Sequence, residues 1–241
     1  MPVVNRVHYF SHRATSSSRR STFITFNTRQ LAAAEWLQTG ISGWTLRGLF
    51  IVLEGIDGAG VSTQARIAAE WLERAGRVVV KTAEPTEGPI GSLIRQALRG
   101  EVKVGMRALA LLFAADRVEH YYKLILPSLE AGRDVVCERY LLSSYAYQSL
   151  HVDINWIRAI NSQVGRPDLT ILLDIDPRIA IERKLRQQRG RLELFEKLDV
   201  LSQVRARYLE LAREEGCIIV DSSPPIEAVS REIVKAIASI L

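Results

Sequence analysis

The stretch LFIVLEGIDGAGVSTQ, residues 49–64, decides the fold. Its first five residues are apolar without alternation, the pattern of a strand buried on both faces. From Ser62 onward, Ala65, Ala68, Ala69, Leu72 and Ala75 keep the i, i+3, i+4 spacing of a helix that Gly76 stops. Between strand and helix, Gly55, Gly58 and Gly60 let the backbone turn so that successive N–H groups point inward, beside the positive end of the helix. Strand, glycine-rich turn and helix in this order form a phosphate-cradling loop. Ile56, Asp57, Ala59, Val61 and Thr63 fall in the same phosphate-cradling stretch, and Ser62 is placed to put its hydroxyl on Mg²⁺. One position breaks the pattern: Val61 stands where such a loop carries its lysine.

Four more short runs rich in Val and Ile follow, at residues 77–82, 134–138, 169–175 and 217–221, with helical segments between them. Apolar strands alternating with helices predict a three-layer α/β fold, a five-stranded parallel sheet with helices on both faces. The binding site is then expected at the carboxyl ends of the strands.

Charge narrows the partners. The net +5 resides in residues 1–47, which hold six arginines and one acid, Glu35, and leave the remainder neutral. A folded part without an overall positive field is not expected to bind nucleic acid. No apolar run reaches the roughly 18 residues of a membrane span. Cys137 and Cys217 sit singly inside apolar runs and read as small buried hydrophobes, in keeping with a reducing, cytoplasmic compartment. Residues 1–47, rich in Ser and Arg and without periodicity, read as a disordered extension: a transit peptide, or a stretch upstream of the true start. The scarcity of Asn and Met beyond it, a thermophile-like depletion, favours the second reading.

AEPT (83–86) follows the second strand, LLFAADRVEH (111–120) lies on a helix, and CERYLLSSYAYQ (137–148) follows the third strand. Together with GIDGAG and STQ around Val61, they make the chain from about Gly48 to Leu241 resemble the thymidylate kinase family, of the P-loop nucleoside monophosphate kinase type. The resemblance implies a P-loop NTPase fold, transfer of the ATP γ-phosphate to dTMP to give dTDP for dTTP synthesis, Mg²⁺ with ATP, and a homodimer. A kinase for another nucleoside monophosphate, or a nucleotide-binding relative silenced at Val61, are the alternatives.

Physical chemistry gives the matching residues tasks. Phe113 offers a flat face on which a pyrimidine can stack, and Arg117, one helical turn on, can hydrogen-bond a base carbonyl; in the family these positions hold the thymine. Asp57 resembles the carboxylate that meets the sugar 3′-hydroxyl and the metal's water shell. Arg139 resembles the arginine that neutralises the acceptor phosphate, with Arg95 as a second candidate. Glu138 stands where the family usually has Asp and could reach a water on Mg²⁺. Tyr147 matches the tyrosine that disfavours a 2′-hydroxyl, and Glu84, Pro85 and Ser144 complete the dTMP site.

Residues 182–197, dense in cations and broken at Gly190, occupy the place of the family's lid, although Glu182 could pair with Arg186 on a solvated face. Arg189 or Arg191 is expected to fold over the phosphates in place of the missing lysine, with Arg183 and Arg186 in reserve. The run from Asp221 through Ser222 and Ser223 to Pro224 and Pro225 resembles the loop that holds the donor adenine, with the two serines as the contacts. His120 and His151 read as surface residues.

Overall fold

Phe50, Ile51, Val52 and Leu53 have no polar side chain to leave in water, and all four are fully buried in the central strand of the sheet. The structure, a computed structural model, describes residues 47–187 and 197–241; the expectations for residues 1–46 and for Arg189 and Arg191 lie outside the described residues. The order is β1 (Phe50–Gly55), α1 (Val61–Arg74), β2 (Val79–Ala83), α2 (Pro89–Leu98) and α3 (Met106–His120). A π-helical stretch (Tyr121–Ile125) continues α3 into α4 (Leu126–Glu130). Then come β3 (Asp134–Glu138), α5 (Leu141–Gln148), α6 (Ile154–Ile160), β4 (Leu169–Asp174), α7 (Pro177–Gln187), α8 (Leu198–Glu214), β5 (Ile218–Asp221) and α9 (Ile226–Ala238).

All strand pairs are parallel, in the order β2-β3-β1-β4-β5. The pleat sends successive β1 side chains to opposite faces. Ile51 and Leu53 belong to a cluster with Ala65, Ala68 and Leu72 of α1 and Val229 and Ile233 of α9. Phe50 and Val52 pack instead with Ile125, Leu129 and Tyr140. Helices therefore cover both faces, as the sequence predicts. The outer strands depart from the expectation: Ile218 and Ile219 of β5 are 37% and 38% exposed, because an edge strand has a neighbour on one side only.

Two acids, buried Asp134 and partly buried Asp168, fix the start of β1. The Leu49 amide donates to Asp134 at 2.9 Å and the Phe50 amide to Asp168 at 2.8 Å, with Arg77 and Arg47 pairing with the respective carboxylates. With β1 anchored at this end, the loops after β1, β2, β3 and β5 all emerge at the other, carboxyl edge. No described helix is long and apolar enough to cross a membrane.

Candidate active site

The loop after β1 turns through two glycines that no other residue could replace without strain. Gly58 has φ +86°, and a Cβ there would meet the Ala180 carbonyl oxygen of α7 at 2.2 Å; Gly60, φ +90°, caps α1. Val61 is the first residue of α1 and only 4% exposed. Its Cγ2 lies where a side chain on Gly55 would have to go, 3.2 Å from the Cβ position of that residue. Next to it Ser62 directs its hydroxyl at the Glu138 carboxylate, 2.5 Å away.

Two clefts meet over this loop. One, of about 370 Å³, is lined by Ile56 to Thr63, Arg183, Ser222 and Pro224. The other, of about 320 Å³, brings together Asp57, Glu84, Pro85, Arg95, Phe113, Arg117, Glu138, Arg139, Ser144 and Tyr147. Asp57, Glu138 and Arg139 line both. Gly55 and Ser223 line neither: Gly55 is buried and accepts from Arg139 Nη1 at 2.7 Å, and the Ser223 carbonyl accepts from Arg183 at 2.9 Å. Ser222 offers its carbonyl to the same guanidinium at 2.9 Å, so Arg183 ties α7 to the loop after β5. Arg186 pairs with Glu182, as expected for a solvated face, at a loose 3.8 Å.

At the junction Arg139 Nη2 donates to Asp57 Oδ1 at 2.6 Å, with the guanidinium over the Tyr147 ring. Burial works against the arginine's charge, but the oxygens of Tyr147, Asp57, Tyr208 and Glu54 outweigh it and raise its pKa well above the ordinary value. Arg139 is therefore a fixed cation. Burial, reinforced by Asp57, pushes the Tyr147 phenol up and keeps it protonated.

The helix α3 does more than its sequence suggests. Asp116 accepts from the Thr86 amide at 2.8 Å and its hydroxyl at 2.6 Å; His120 meets Thr82 at 2.6 Å and Glu84 at 3.1 Å. His120 is thus buried, not a surface residue: three side chains of α3 grip the segment that leaves β2. The third is Arg117, 1% exposed, with its donors directed to Glu84, Asn161 and the Tyr140 carbonyl. It forms a wall of the cleft, but these hydrogen bonds go to protein and not to open space. Arg95 likewise donates to the carbonyls of Pro85 and Thr86, at 3.0 and 2.7 Å, and to Glu87. His151 is exposed, as expected.

Gln148 is a cleft residue that the sequence reading missed. Its Oε1 and the Ser144 hydroxyl are buried in the cleft wall without a protein partner. Buried polar atoms are normally hydrogen-bonded, so both point to a ligand with polar edges. The spacing Ser144, Tyr147, Gln148 is i, i+3, i+4 on α5 and carried the signal. Glu54, the one charged residue of β1, was missed as well.

For a metal, Ser62 and Glu138 offer hard oxygens side by side. That suits Mg²⁺, which takes one or two protein oxygens plus substrate phosphates. Among the described residues no group of three or more His, Cys, Asp or Glu could hold a metal on its own.

A family model described as thymidylate kinase matches residues 53–233. A probable thymidylate kinase of Pyrococcus abyssi is 46% identical over 197 residues, 78% of this chain and 95% of the relative. One of Pyrobaculum calidifontis is 47% identical over 191 residues, again 78% and 95%. A third, of Methanocaldococcus jannaschii, is 43% identical over 188 residues, 77% and 94%.

Proposed function

The chain belongs to the thymidylate kinase family, and from that premise we propose that it transfers the γ-phosphoryl group of ATP to dTMP, giving dTDP for dTTP synthesis. The observation that carries this reading is the pair of clefts sharing Asp57, Glu138 and Arg139, because in-line transfer needs donor and acceptor phosphates to meet over one set of charges. Phosphoryl transfer is mostly positioning and charge neutralisation, and no side chain has to act as a base of tuned pKa.

In this reading Phe113 stacks the pyrimidine, and Ser144 and Gln148 supply hydrogen bonds to its edge. Tyr147 crowds the sugar, Asp57 meets the 3′-hydroxyl, and the planar fork of Arg139 takes the acceptor phosphate. Arg95 and Arg117 hold the cleft wall around Glu84 and Pro85. On the donor side the amides of residues 55–63 cradle the phosphates, while Ser222, with Ser223 behind it on Arg183, shapes the adenine end. Ser62 and Glu138 would hold Mg²⁺, which supplies charge neutralisation to the phosphates. Arg189 or Arg191 closes over the transferring group in place of the absent lysine. The working form is a homodimer, as in the family the chain resembles.

An acceptor panel of dTMP, dUMP, UMP, AMP and dGMP tests the reading. dTMP is expected to give the highest kcat/KM, and Phe113→Ala to weaken its binding by ~1–3 kcal/mol. A better acceptor among the other four would assign a different nucleoside monophosphate kinase. Binding of ATP and dTMP without turnover of any acceptor would favour a silent relative.

A further inference from the structure

Glu54 is a fully buried carboxylate in an otherwise apolar run, and it lines neither of the two clefts. Burial there raises the pKa of the carboxyl, and hydrogen bonds from Ser143 and Tyr140 together with the charge of Arg139 work against that rise. Glu54 Oε1 accepts from the Tyr140 amide at 2.8 Å and the Ser143 amide at 3.2 Å. Its Oε2 accepts from the Ser143 hydroxyl at 2.6 Å and the Tyr208 hydroxyl at 3.1 Å. Three of these four donors adjoin Arg139: the amide of the next residue, Tyr140, and the Ser143 and Tyr208 hydroxyls.

Arg139 has φ +63°, the one positive value for a non-glycine residue in the described chain, a conformation costly for a side chain with a Cβ. Its own amide donates to the Leu53 carbonyl at 2.9 Å, and the next amide, Tyr140, goes to Glu54. Two adjacent residues of β1 thus pin both sides of the left-handed turn. The same two hydroxyls that donate to Glu54 stand 3.4 Å from Arg139 Nη1. They touch each other at 2.8 Å, so the carboxylate, the two hydroxyls and the guanidinium form one buried chain. The two hydroxyls have one proton each for three contacts: with Ser143 donating to Glu54, the Tyr208 proton goes to Glu54 or to Ser143, and in either case each hydroxyl oxygen keeps a lone pair for the guanidinium.

We propose that Glu54 is a positioning residue that aims Arg139 at the phosphate of the acceptor nucleotide, acting through the Tyr140 amide and the Ser143 and Tyr208 hydroxyls. The inference rests on the reading of Arg139 as the acceptor-phosphate residue. An amide at position 54 keeps the shape but supplies a donor where Oε2 accepted. The hydroxyl protons then have to turn elsewhere, and the side toward Arg139 becomes repulsive.

The test is calorimetric binding of dTMP and of thymidine, which lacks the phosphate, to wild type, Glu54→Gln, Tyr208→Phe and Arg139→Ala, with melting curves for each. Glu54→Gln and Tyr208→Phe are expected to weaken dTMP at least tenfold, to leave thymidine within twofold, and to be less than additive when combined, since they act along one chain. A merely structural role would weaken both ligands together. Equal losses for thymidine and dTMP, or unchanged dTMP binding in folded Glu54→Gln, would overturn the proposal. If Glu54→Gln does not fold, Tyr208→Phe, which removes one hydroxyl from the same chain, decides by the same criterion. Arg139→Ala separates the two readings: if it leaves dTMP affinity intact, the phosphate role of Arg139 fails and the proposal with it. If it weakens dTMP while both other variants do not, only the positioning by Glu54 fails.

Discussion

Val61 removes a point charge that a phosphate loop ordinarily presents, and a charge-assisted hydrogen bond contributes about 1.5–3 kcal/mol. Its side chain is committed to the space beside Gly55 and Ala59, so the loop gains apolar packing while its amides keep their direction. Nucleotide binding is therefore expected to survive, with the deficit falling on the transition state. A second residue prediction concerns Cys217, which burial pushes up to about 11. At pH 8 its sulfur is a neutral thiol, the poorer nucleophile. Iodoacetamide is expected to label Cys217 at least tenfold more slowly than free cysteine, with the rate climbing toward pH 11, and buried Cys137 not at all in the native protein; rapid labelling at pH 8 would contradict this. Cys137 was legible from its apolar neighbours, whereas Cys217, expected to be buried, is only half-buried because it leads into the edge strand β5. Glu54 was visible as an odd charge in β1, but its role was not, because its partners lie 86 to 154 residues away in sequence.

At the scale of elements, Gly58 shows what sequence spacing conceals. The glycine pattern announces a phosphate loop, yet the same residue is also where the backbone of α7 presses closest, at Ala180. Gly58→Ala would combine a positive φ with that contact, so it is expected to lower stability by about 1–3 kcal/mol and to weaken ATP more than dTMP. A melting curve and two titrations check it; a wild-type melting temperature and ATP affinity would show that the loop and α7 yield freely. Each strand could be read to within two residues because Val and Ile runs are unambiguous when buried. The order β2-β3-β1-β4-β5 could not be read, since it depends on which strands meet across the sheet. His120 was misread for a related reason. RVEH reads as a wet end of α3, and only the fold brings Thr82 and Glu84 from β2 and its exit loop against it.

For the whole molecule, the ties that close the sheet's first strand, Arg47 to Asp168 and the Leu49 and Phe50 amides to Asp134 and Asp168, all lie within residues 47–241. A protein beginning at Arg47 is expected to fold and to turn over dTMP at an unchanged rate; loss of soluble protein would assign the preceding segment a structural part. Both clefts and the charges they share are formed by described residues, and the proposed transfer adds to them a cation above the phosphates. Arg139 is held by Asp57 and Arg183 by the loop after β5, so the expected source of that cation is Arg189 or Arg191. Most decisive is kcat at saturating ATP and dTMP for wild type, Val61→Lys, Arg189→Ala and Arg191→Ala, with each arginine variant also combined with Val61→Lys. An active wild type is expected, with at least one arginine truncation lowering kcat 100-fold or more, roughly 2.7 kcal/mol, and Val61→Lys partly restoring that variant. A silent wild type that Val61→Lys brings to life, with neither arginine affecting kcat, would contradict it.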